Sequence, residues 1–163
     1  MIEKDVGAYF VAGGLALENA VVTAGGGADN VAVNGPTVDR RNLSDPGLSL
    51  SLLIPFRAVQ ATTQSTTCTV QFQDSADGSA WANYGAAQVF LVGGATGAQD
   101  LRSAIKADMG VNGEFGLDGA RRFVRVVFTP NMSAGATDTF TYAGVFAIGG
   151  LQEKPGTGRS LVS

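Results

Sequence analysis

The chain holds one cysteine, no histidine and one tryptophan, and these counts decide which side-chain chemistries are within reach. A cysteine nucleophile needs a nearby base or positive charge to lower its pKa. Cys68 stands instead in Thr66-Thr67-Cys68-Thr69-Val70-Gln71 and is expected to behave as a small apolar core residue. Without histidine, Ser-His-Asp triads, histidine zinc sites and imidazole proton shuttles are excluded. Acid–base work by paired carboxylates needs two acids fixed in a cleft, whereas Asp108, Glu114 and Asp118 are dispersed through the glycine-rich stretch 108–119. Asp74 and Asp77 suggest a calcium loop, but calcium takes about 6–8 oxygen ligands and no further acids flank them. Asp77-Gly78 reads better as a hairpin turn. No catalytic, cofactor-binding or metal-binding residue is therefore assigned, no cofactor is expected, and the chain is expected not to be an enzyme. An esterase or nuclease would lack a nucleophile–base pair.

Recognition residues are equally sparse. Trp81 and Tyr84 would suit a sugar-stacking platform, against the plainer reading that Trp81 packs at the edge of the fold. Gly93-Gly94-Ala95-Thr96-Gly97 and Gly25-Gly26-Gly27 resemble phosphate-cradling loops but lack a following Lys-Ser/Thr pair, so turns explain them. Eleven Lys and Arg against 14 Asp and Glu give a net charge of −3, which argues against direct nucleic-acid binding. The adjacent basic pairs are Arg40-Arg41 and Arg121-Arg122. No apolar run reaches the ~18–20 residues of a membrane helix. The start Met1-Ile2-Glu3-Lys4-Asp5 lacks the basic region of an export signal, so synthesis and retention in a cytoplasm are expected.

The elements that would position any site are strands. Leu48, Leu50, Leu52 and Ile54 alternate with Ser49, Ser51 and Leu53; Cys68, Val70 and Phe72 alternate with Thr67, Thr69 and Gln71. Val124, Val126 and Phe128 share one face, as do Phe140, Tyr142, Phe146 and Ile148. Weaker strands are expected at 20–24, 30–33, 88–92 and 99–105. Leu101, Ile105 and Met109 also suit one face of a short helix, and residues 9–17 are a second helical candidate weakened by Gly13-Gly14. With 23 glycines placed between apolar segments, the chain is predicted to be all-β. The expected architecture is either a two-sheet antiparallel sandwich or a jelly roll, with an extended N-terminal arm. The expected organisation is an arm over 1–18, a β domain over 19–151 and a flexible tail over 152–163.

The order of three segments carries a resemblance: Asp74-Ser75-Ala76-Asp77-Gly78-Ser79-Ala80-Trp81, then Gly119-Ala120-Arg121-Arg122-Phe123-Val124-Arg125-Val126-Val127-Phe128, then 137–152 with Ala143-Gly144-Val145-Phe146. In that order they resemble small capsid cement (decoration) proteins of tailed bacteriophages, notably the Bordetella-phage type, over residues 66–152. The N-terminal 45 or so residues lie outside the resemblance. It implies a jelly-roll-like domain on the outside of a capsid that bridges major capsid protein subunits and catalyses nothing.

The leading expectation is thus a structural virion protein, located on the capsid surface. Its partners would be the major capsid protein and other copies of itself, as a dimer or trimer, with neither nucleic acid nor membrane. The alternative is a carbohydrate-binding β-sandwich module built on Trp81 and Tyr84. Residues 1–18 and the 108–119 loop are the segments expected to touch the shell.

Overall fold

The computed structural model describes residues 10–42, 49–109, 119–133 and 137–149. They form ten strands: β1 (Phe10–Thr23), β2 (Val33–Asn34), β3 (Val38–Asp39), β4 (Ser49–Gln60), β5 (Ser65–Ser75), β6 (Ala82–Asn83), β7 (Gln88–Gly93), β8 (Gln99–Met109), β9 (Phe123–Met132) and β10 (Thr139–Gly149). The one helical element among the described residues is a 3-10 turn at Arg40–Asn42. None of the described helices is long and apolar enough to cross a membrane.

Two antiparallel sheets result. One runs β1-β10-β4-β8; in the other β9 and β5 are central, with β2 and β3 along β9 and β6 and β7 along β5. The pairs β2/β3 and β6/β7 each act as one interrupted strand, since both members hydrogen-bond to the same side neighbour in succession. Counted so, the chain makes eight strands ordered 1-8-3-6 and 2-7-4-5, changing sheet at every connection but that between the fourth and fifth. That is the connectivity of a jelly roll.

The predicted inward residues make the core. Leu50, Leu52, Ile54, Cys68, Val70, Phe72, Val124, Val126, Phe128, Phe140, Tyr142 and Phe146 are all buried. A chain of rings crosses between the sheets: Phe128 of β9 meets Tyr142 of β10 edge-on at 4.7 Å. Tyr142 lies 5.9 Å from Phe140, which stacks on Phe56 at 5.3 Å. Such pairs stabilise beyond the area they bury. Burial pushes the Cys68 thiol up to about 12, so it stays protonated among its apolar neighbours.

Two expectations need correction. The helical candidate at 9–17 is strand: β1 runs from Phe10 and pairs with β10 from Phe10↔Gly149 to Thr23↔Thr139. Its alternation is hidden by register shifts between Leu15/Leu17 and Leu17/Ala20, which leave the consecutive Ala16 and Leu17 both fully buried. The arm boundary expected at residue 18 therefore falls inside β1, while residues 1–9 and the tail at 152–163 lie outside the described residues. The ambiguity at Leu101, Ile105 and Met109 resolves as strand β8, paired with β4 from Gln60↔Gln99 to Leu50↔Met109. A spacing of four keeps side chains on one face in a helix and in a strand alike.

One side of the sandwich closes where β1 meets the break between β2 and β3. Gly35, at that break, donates its N–H to the Val126 carbonyl at 2.8 Å. A Cβ there would stand 2.1 Å from the Ala16 carbonyl oxygen and 2.9 Å from Val126 Cγ1. The backbones approach that closely only because the residue has no side chain.

Candidate binding surface

The two sheets present opposite outer faces. On the four-stranded sheet, Arg57 forks onto Asp100, its Nε 2.8 Å from Oδ1 and Nη2 2.9 Å from Oδ2, and Lys106 meets Asp108 at 2.9 Å. The hydrogen bond from Arg57 holds the Asp100 carboxyl below the usual carboxylate range. Leu53 and Val145, cross-strand partners, lie exposed among these charges.

The outer face of the six-stranded sheet is different because of how its strands alternate. Burying Cys68, Val70 and Phe72 turns Thr67, Thr69, Gln71 and Gln73 outward. Burying Val124, Val126 and Phe128 likewise turns out Arg125, Val127 and Thr129, with Asn131 beyond them. Registered rows run Leu91–Thr67–Asn131 and Val89–Thr69–Thr129 across β7, β5 and β9. Val89 is 64% and Leu91 70% exposed. Arg125 is the one charge on these outward rows, and it is engaged: its guanidinium lies 4.2 Å over the Trp81 ring and its Nε donates to Gln73 Oε1 at 2.9 Å. Burial pulls its pKa down. The remaining surface is a neutral sheet of hydroxyls, amides and methyls, whose hydrogen bonds salt does not screen.

The Asp77-Gly78 turn forms as expected, with Gly78 at a φ of 80°. The backbone N–H groups of Ser79 and Ala80 donate to Asp77 Oδ1 at 2.8 and 2.9 Å, and Gly78 N–H donates to Ser75 Oγ at 2.9 Å. Donation from Ala80, then Ser79, holds the Asp77 carboxyl far below the usual carboxylate range. Asp74 is turned elsewhere, accepting from the Arg121 N–H at 2.9 Å. A depressed folded-state pKa gives stability that is present above the unfolded-state value of 3.8 and lost as pH falls through the folded one. Melting temperature is accordingly expected to fall below pH 4, and more shallowly in Asp77→Asn, which keeps the acceptor but not the charge. Parallel melting curves from pH 5 to pH 2 would show that this turn contributes nothing to acid sensitivity.

The structure separates Trp81 and Tyr84 as a sugar platform. Arg125 caps one face of Trp81, while Tyr84 packs against the core with its N–H bound to the Phe72 carbonyl. Both glycine clusters are connections. Gly25 N–H donates to Asp29 Oδ2 at 2.7 Å between β1 and β2, and Gly94 N–H to the Gln64 carbonyl at 2.9 Å between β7 and β8. Among the described residues no three acids or cysteines gather as metal ligands. Residues 110–118 of the expected contact loop lie outside the described residues.

One feature could not be read from spacing. Arg40-Arg41 and Arg121-Arg122, eighty residues apart, meet at one end of the sandwich. Arg40 N–H donates to the Arg122 carbonyl at 3.0 Å, Arg40 Nη1 to the Ala120 carbonyl, and Arg122 forms a two-pronged pair with Asp39. The antiparallel pairing of β3 with β9, Asp39↔Phe123, brings them together.

No protein-family model and no curated protein sequence matches this chain. Among solved structures it is similar to the infectious bursal disease virus VP2 subviral particle, at 12% identity and a TM-score of 0.44, over 84% of this chain and 31% of that one. The chain spans about a third of the length of that neighbour.

Proposed function

We propose that this chain is a structural virion protein that attaches to the outer surface of a phage capsid and reinforces contacts between major capsid protein subunits, without catalysing a reaction. The observation that carries this reading is the outer face of the six-stranded sheet, where β5, β7 and β9 turn out hydroxyls, amides and methyls with the engaged Arg125 as their one charge, edged by Val89 and Leu91. A sandwich presenting a weakly charged face with exposed Val89 and Leu91 is suited to adhesion, since exposed apolar patches rimmed by polar groups favour protein contacts. On a repeating shell, weak contacts of this kind add through effective concentration. The ordered resemblance of residues 66–152 to phage cement proteins supports the same assignment. Copurification with intact particles, near-stoichiometric to the shell protein, is the test. Absence from purified particles would refute the proposal.

A further inference from the structure

Edge strands are ordinarily protected by charge, proline, shortness or cover, because their unpaired N–H and C=O groups invite another strand. The two edges on the open side of this sandwich differ in that respect. β8 carries Asp100, Arg102, Lys106 and Asp108 along its outer face. β7 reads Gln-Val-Phe-Leu-Val-Gly, with no charge and no proline. Among the described residues it pairs only with β5, so alternate backbone groups face away from the sheet. Its Leu91 is 70% exposed. Beside it, between β7 and β8, runs a groove of about 500 Å³ whose walls include Phe56, Phe90, Leu101 and Ile105 beside Arg102 and Lys106.

We infer that β7 is where two copies of this chain join, edge to edge and antiparallel about a two-fold axis, making one continuous sheet from two. An isologous contact sets a patch against itself. β7 lacks the charges that protect the β8 edge, and its uncharged residues set no like charges against their own copies. Directly opposed residues in an antiparallel pair share a face, which restricts the register. The two-fold passes through a residue of β7, for example through Phe90, setting Val89 against the partner's Leu91, or through Leu91, setting Leu91 against its own copy. In either case Phe90 and Val92 of both copies face the same interior, and the two grooves adjoin. The inference does not depend on capsid attachment.

Sedimentation velocity of the purified full chain is expected to show a dimer. Leu91→Lys, at a position already exposed, is expected to weaken the dimer by about 100-fold or more, because in either register an ammonium group would be forced into the apolar contact, against the partner's Val89 or against its own copy, with the melting temperature of the monomer unchanged. Cross-linking gives a second readout: Leu91→Cys should form an intermolecular disulfide, alone or mixed with Val89→Cys, while buried Cys68 takes no part. A wild-type chain that stays monomeric, or a Leu91→Lys chain that dimerises as well as wild type, overturns the inference. So does a monomeric wild type whose particle binding is lost in Leu91→Lys, since β7 would then belong to the shell protein. A dimer that fails to bind particles leaves this inference standing and refutes the proposed function alone.

Discussion

Phe128→Ala is expected to lower stability by about 3–5 kcal/mol, the range for deleting a buried aromatic ring. Phe128 is fully buried and lies in the middle of the core, on the central strand β9 opposite Val70. Its ring is also the link by which the six-stranded sheet meets Tyr142 of the other sheet, at 4.7 Å. Alanine would remove both the buried area and the edge-to-face contact. Domains of this size have about 5–15 kcal/mol in total, so the loss is a large fraction. At roughly 2–4 °C per kcal/mol the melting temperature should fall by about 6–20 °C. Thr129→Ala, one residue along and on the outer face, should stay within about 0.5 kcal/mol. Similar melting temperatures for the two variants would mean that the sheets do not pack through β9.

Gly35→Ala should be nearly as damaging for the opposite reason: a methyl group is added where two backbones touch. The new Cβ would sit 2.1 Å from a main-chain oxygen of β1, and a carbonyl cannot swing aside as the end of a side chain can. Either β1 moves off β10, or the Gly35 hydrogen bond to Val126 breaks. Overpacking of this kind costs about 1–3 kcal/mol and occasionally more. Gly27→Ala is the control, because a Cβ there meets nothing within 4 Å. It is expected to be neutral, or stabilising by about 0.4–1 kcal/mol through the unfolded chain. Chemical denaturation of both variants measures the difference, and equal midpoints would contradict the close approach.

What was legible in the sequence follows from where the period of two is intact. In the middle of β5 and along β9 the inward residue of each pair is apolar, so the faces of Cys68, Phe72, Val124 and Phe128 are assigned directly. β1 was misread because its register shifts place Ala16 and Leu17 both inside, and a bulge leaves no periodic trace. β8 was ambiguous because its apolar residues are four apart. The Asp77-Gly78 turn was legible because its chemistry is local, each donor lying within three residues of its acceptor. The meeting of Arg40 with Arg122 was not, because it depends on β3 lying beside β9. The neutral outer face was half legible: the Thr and Gln alternation of β5 announces it, but the alignment of Val89 and Leu91 with Thr69 and Thr67 needs the register of β7.

Adhesion through that face is tested most directly by adding purified protein back to capsids that lack it and measuring what sediments with them. The expected result is saturable retention of the wild-type chain at a fixed ratio to shell protein. Thr69→Glu/Thr129→Glu, which places two carboxylates on the face while leaving the core intact, should no longer be retained. Failure of the wild-type chain to bind at any concentration, or undiminished binding of the doubly charged variant, would contradict it.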